Sequence, residues 1–167
     1  MSTESEQQAA EADYGASNIV GLQSQIWSEK IRGPHELEYM LLPKLLGFAE
    51  RAWAKDPVWS KNINSDAYKS DWNWFVNILA KRELVRLDDY AGGFNYRIPT
   101  TGLRIKDNTV EANIQFPGLT IKYTSDGTEP NFKSKSYTSG ISEKGLLKFK
   151  VFNASGRGGR TVSILNP

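Results

Sequence analysis

Between Gly21 and Trp53 the chain reads GLQSQIWSEKIRGPHELEYMLLPKLLGFAERAW, and this stretch narrows the possible folds more than any other. A short strand-like run, Gly21 to Ile26, ends on Trp27-Ser28-Glu29, and a turn at Gly33-Pro34 follows. Leu37, Met40, Leu41, Leu45, Phe48 and Ala52 then recur at spacings of three and four, the apolar stripe of an amphipathic helix. Proline at the first helical position sacrifices no hydrogen bond, and Glu36 and Glu38 suit the positive end of the helix dipole. Pro43 lies inside the pattern and predicts a kink or break, and Asp56-Pro57 ends the helix. Glu50 and Arg51 point to different sides and are expected to bond to neighbouring segments rather than to each other.

A strand that delivers an aromatic and a carboxylate into a loop before a helix matches the βα unit of an α/β barrel. In such barrels the chemistry sits at the C-terminal ends of the strands. An indole can cover the apolar face of a sugar ring, and a carboxylate beside it can accept hydrogen bonds from ring hydroxyls. Trp27 and Glu29 are therefore the candidate binding residues.

Downstream, Val58 to Lys69 is irregular and predicts a loop holding one short helix. Ser70 or Asp71 caps a second helix, with Trp72, Phe75, Val76, Leu79, Leu84 and Leu87 as its buried face. Asp88-Asp89 ends it as a solvated pair, and a connector leads to Pro99. From Thr109 the texture changes to short β-rich runs: Val110 to Phe116, Leu119 to Thr124, Leu146 to Phe152 and Thr161 to Leu165. Pro117-Gly118 and Asp126-Gly127 mark turns, and Arg157-Gly-Gly-Arg160 reads as a Gly-rich turn between strands. This spacing predicts a small antiparallel sandwich. The fold class is α+β: a disordered lead over 1–18, a short strand and two or three helices from the end of an incomplete (β/α)8 barrel over 19–94, and a small antiparallel β-sandwich over 95–167.

Composition excludes several classes. With 39% hydrophobic residues the chain can build a modest core, and no apolar run approaches the length of a membrane span. Met1 to Ser17 is polar and acidic, without the apolar core of a signal peptide. Zero cysteine removes disulfides and thiolate metal sites, and one histidine, His35, rules against a histidine metal cluster or a Ser-His-Asp triad. No cofactor or metal is expected, and Asp126 and Glu129 do not form a calcium loop. Residues 1–94 carry 10 Lys/Arg against 14 Asp/Glu, whereas 95–167 carry 11 against 5. The basic half reads as solvated lysines on outer strand faces, with no nucleic-acid partner expected.

The stretch also resembles a known family. Trp27-Ser28-Glu29, Glu38-Tyr39-Met40, Pro43 and Ala49-Glu50-Arg51-x-Trp53 are similar to the last βα unit of family 20 glycoside hydrolases, the β-N-acetylhexosaminidases, and above all to bacterial chitobiases. The likeness continues through Asp71-Trp72, Asn77-Ile78-Leu79, Arg82-Glu83-Leu84, Tyr96-Arg97-Ile98-Pro99 and Pro117-Gly118-Leu119. Tyr123 to Pro130 resembles the immunoglobulin-like domain at the C-terminus of those enzymes. Lys44 stands where the family helix has Arg, keeping the charge but not the planar fork of donors.

The resemblance implies the C-terminal part of an enzyme that removes terminal N-acetylglucosamine from chitin oligosaccharides with retention. The nucleophile in that reaction is the substrate's own acetamido oxygen, an exception to the two-carboxylate scheme. It also implies that Trp27 packs under the non-reducing sugar and that Glu29 binds its outer hydroxyls. The family's catalytic pair is an adjacent Asp-Glu, a dipeptide absent from this sequence. The chain by itself is therefore expected to be inactive, with no catalytic residue of its own. Thr100 to Pro167 is expected to fold alone, and the helices to leave an apolar patch around Leu41, Leu45 and Phe48. Localisation follows the resemblance: periplasmic, outer-membrane or secreted, with any export signal upstream. Two alternatives remain: a stand-alone carbohydrate- or protein-binding sandwich, and a small hydrolase using Asp88-Asp89.

Overall fold

The computed structural model describes residue 15 and residues 17–167. The expected disordered lead, 1–18, lies outside the described residues except for 15, 17 and 18. Four α-helices lie between residues 34 and 89: α1 (Pro34–Leu41), α2 (Lys44–Trp53), α3 (Asp66–Ile78) and α4 (Leu84–Asp89). Six strands follow: β1 (Gly102–Lys106), β2 (Thr109–Asn113), β3 (Thr120–Thr124), β4 (Lys135–Ser136), β5 (Gly145–Phe152) and β6 (Val162–Asn166). The fold class is α+β with antiparallel sheets, as the sequence reads.

Pro43 divides the first helical stripe, as expected: α1 stops at Leu41, α2 starts at Lys44, and the Leu42-Pro43 bond between them is cis. Glu50 and Arg51 do pair, at 3.6 Å, against expectation, because the exposed Arg51 folds back while its guanidinium lies over the Trp59 ring. The run Gly21 to Ile26 is extended and exposed but forms no strand. A strand exists only where a neighbour takes up its backbone N–H and C=O groups, and no described segment pairs with this one.

The second helical run starts earlier than Ser70. Ser65 caps α3, its Oγ accepting from the Tyr68 N–H at 3.2 Å. A single π-helical turn, Leu79–Glu83, joins α3 to α4. That turn shifts the phase of the apolar stripe. Val76, Leu79, Ala80 and Leu84 are buried, whereas Trp72 of the expected buried face is 42% exposed. The loop before α3 holds the expected short helix, a 3₁₀ turn at Val58–Lys61.

Among the described residues the sheets number two. One holds β1 and β2; the other runs β4-β3-β5-β6, every pair antiparallel. Pro117-Gly118 therefore passes the chain from one sheet to the other and does not close a hairpin. The β1-β2 hairpin instead turns on Asp107 and Asn108, both at positive φ, which these two residue types tolerate. Val110, Ile121, Leu147, Phe149 and Val151 meet in one buried cluster that also takes in Leu42, Val76, Leu79, Ala80 and Leu84. Helices and sheets thus share a single core.

The connector 94–98 is the seam. Tyr96 and Ile98 are fully buried. Its backbone is tied to the helices by Phe94 N–H to Leu87 C=O (2.8 Å), Asn95 N–H to Glu38 Oε2 (2.7 Å) and Arg97 N–H to Leu42 C=O (2.9 Å). On the sheet side, Gly159 donates to Val151 C=O at 2.8 Å, and a Cβ there would sit 3.1 Å from Ile98. Only glycine lets the backbones come this close without something shifting.

Candidate functional site

The segment 22–30 and the helices α1 and α2 enclose an open groove of about 740 Å³. Trp27 and Glu29 both line it, with Met40, Leu41, Leu45 and Phe48 as its apolar wall. The structure thus brings the two candidate binding residues to one groove and places the helical stripe opposite them. The stripe is only partly covered: Met40 and Leu45 remain exposed, and Leu41 and Phe48 are half-buried. Trp27 is 73% exposed, so its indole is available as a platform.

Among the described residues Glu29 is the one carboxylate lining the groove, accompanied by Lys30 and Lys44. Acid–base hydrolysis by two side chains needs a second carboxylate about 5–10 Å away, across the scissile bond. The groove offers an aromatic face, an acceptor and two ammonium donors, the equipment of a binding surface. Lys44 opens α2 at the groove wall, a role that reading it only as a family departure had missed. Among the described residues no group of three or more His, Cys, Asp or Glu could hold a metal ion.

In the other pair considered, Asp88-Asp89, Asp89 is exposed as expected, but Asp88 is not left to solvent. Asp88 accepts from Asn153 Nδ2 at 2.8 Å and from Tyr96 Oη at 3.3 Å, and Arg157 Nη2 lies 3.9 Å away. The Arg157 guanidinium stacks 4.1 Å from the centre of the Tyr96 ring and donates to the Tyr96 carbonyl at 2.8 Å. Burial, more than any neighbour, raises the Tyr96 hydroxyl above its ordinary pKa. Asp88 is spent on holding the helices to the sheet. Sequence spacing could not reveal this, because its partners lie 8 to 69 positions away. Arg157 and its glycines do form the expected turn between β5 and β6. His35 is exposed at the start of α1, where Asn95 Nδ2 meets its Nδ1 and its carbonyl, both at 3.0 Å.

Two family models match the chain. Residues 1–56 match the glycosyl hydrolase family 20 catalytic domain, and residues 83–161 match the chitobiase/beta-hexosaminidase C-terminal domain. Among curated relatives, the N,N'-diacetylchitobiase of Vibrio harveyi is 36% identical over 124 residues, which is 67% of this chain and 14% of the relative. The beta-hexosaminidase of Vibrio vulnificus is 31% identical across 169 aligned positions, 89% of this chain and 19% of the relative. A beta-hexosaminidase of Porphyromonas gingivalis is 28% identical over 149 residues, 83% of this chain and 17% of the relative. The chain thus spans less than a fifth of the length of these relatives. With the end of the catalytic domain and the C-terminal domain matched in that order, the chain belongs with the C-terminal part of the bacterial chitobiases and β-hexosaminidases of glycosyl hydrolase family 20.

Proposed function

We propose that this chain supplies the sugar-binding end of a β-N-acetylhexosaminidase that removes terminal N-acetylglucosamine from chitin oligosaccharides by substrate-assisted, retaining hydrolysis. The observation that carries this reading is the shared groove: Trp27 and Glu29 line one cleft with the apolar wall of α1 and α2 beside them. Trp27 stacks on the sugar, and Glu29 accepts from its outer hydroxyls. The catalytic Asp-Glu pair of the family has no counterpart in this sequence, so the hydrolytic step belongs to upstream residues of a longer protein. A periplasmic, outer-membrane or secreted setting goes with this reading.

The test is release of chromophore from an aryl β-N-acetylglucosaminide by the purified chain. No release above a buffer blank is the expected result. Release that disappears in Glu29→Gln would overturn the proposal, because this chain would then contain its own catalytic machinery.

A further inference from the structure

Trp27 and Lys30 also border a second groove, of about 590 Å³, which Glu29 does not line. It runs between α1 and the turn 156–160, so its walls come from both the helical part and the sheet part of the chain. Tyr39 lies in it, and two guanidinium groups converge on that ring: Arg160 at 5.7 Å and Arg97 at 5.8 Å. Cations are drawn to an aromatic face by its quadrupole, and they keep their outward N–H donors when they sit there. None of Lys30, Arg97 and Arg160 has an acidic partner at ion-pair distance among the described residues. Among the described residues the groove's one carboxylate is Glu36, against Lys30, Arg157 and Arg160.

We infer that this second groove is a subsite for a carboxylate-bearing sugar unit, adjacent to the one held on Trp27. The inference rests on the proposed sugar platform only for the identity of that neighbouring unit. Lys30 and Arg160 supply charge-assisted hydrogen bonds to the carboxylate, and Tyr39 supplies an apolar face to the ring. The two grooves divide the recognition around one indole: neutral hydroxyls go to Glu29, and negative charge goes to the side where Glu29 is absent. A single-stranded nucleic acid fits less well, because it needs a succession of stacking rings, and among the described residues this groove adds to Trp27 only Tyr39 and the His35 imidazole.

Calorimetric titration of the full chain distinguishes these. The probes are a tetrasaccharide alternating N-acetylglucosamine and glucuronate, neutral chitotetraose, and a short oligothymidylate. The acidic tetrasaccharide should bind about tenfold more tightly than chitotetraose at low salt, and the advantage should shrink as salt rises. Arg160→Gln, a change at an exposed position, should remove that advantage and leave chitotetraose binding unchanged. Equal affinity for the two saccharides, a preference that survives Arg160→Gln, or tighter binding of oligothymidylate would each overturn the inference. Trp27→Ala tests the platform separately. If chitotetraose binding survives that change while Arg160→Gln still abolishes the acidic preference, the anion subsite stands and the platform reading falls.

Discussion

Asp88, Tyr96, Asn153 and Arg157 show how one residue's environment can reverse its reading. An aspartate at a helix end is ordinarily hydrated, yet Asp88 answers a phenol from the connector and an amide and a guanidinium from the turn after β5. Removing it takes the acceptor from the Tyr96 hydroxyl, leaves the Asn153 amide only the Tyr96 oxygen, and withdraws the negative charge beside Arg157. Asp88→Ala should therefore cost about 2–3 kcal/mol, read as a lowered urea midpoint with an unchanged slope. Tyr96 makes a second prediction. Its folded pKa lies above the unfolded value near 10.0, so the folded state holds the proton longer than the unfolded chain does. Its contribution to stability is complete below the unfolded pKa and is lost as pH rises through the folded one. In an alkaline absorbance titration, one of the seven tyrosines should ionise late and together with unfolding.

Among the elements, those set by local chemistry were legible and those set by partners were not. Pro43 splits the first helix because a ring without an N–H breaks the ladder wherever the fold puts it. The runs that became β3, β5 and β6 were legible from alternation and bounding turns. β1 escaped because Leu103 to Lys106 is short and its signal is the Asp107-Asn108 turn rather than a longer apolar run. The expected strand before Trp27 failed for the opposite reason: alternation states a preference, but a ladder needs a second chain segment. Trp27 and Glu29 were legible as neighbours before a helix, whereas the groove they share was not, since its far wall comes from α2. Mutational cost should follow this map. Leu84→Ala, in the shared core, should lose about 2–5 kcal/mol, whereas Leu45→Ala at the exposed groove wall should stay within about 1 kcal/mol, both read by denaturant unfolding. Amides of 19–28 should exchange with solvent far faster than those of β5, because they lack ladder partners.

At the level of the whole molecule, the shared core bears on where a piece able to fold alone should begin. A piece beginning at Thr100 would lose Tyr96 and Ile98, the two buried residues between helices and sheet, and with them Leu84. A piece beginning at Glu83 keeps all three. We expect 83–167 to unfold cooperatively at a higher urea midpoint than 100–167, measured by tryptophan-independent circular dichroism. Equal midpoints would mean that the connector contributes nothing to the sheets. The seam at 94–98 also bears on how such a protein can change over evolutionary time. Recombination that exchanges the C-terminal module at the sheet's edge would leave the incoming module with a Gly159 and Arg157 shaped for a tyrosine and an isoleucine it no longer meets. Viable exchanges must carry the connector with the sheets, so inheritance should treat helix end, connector and sandwich as one heritable block.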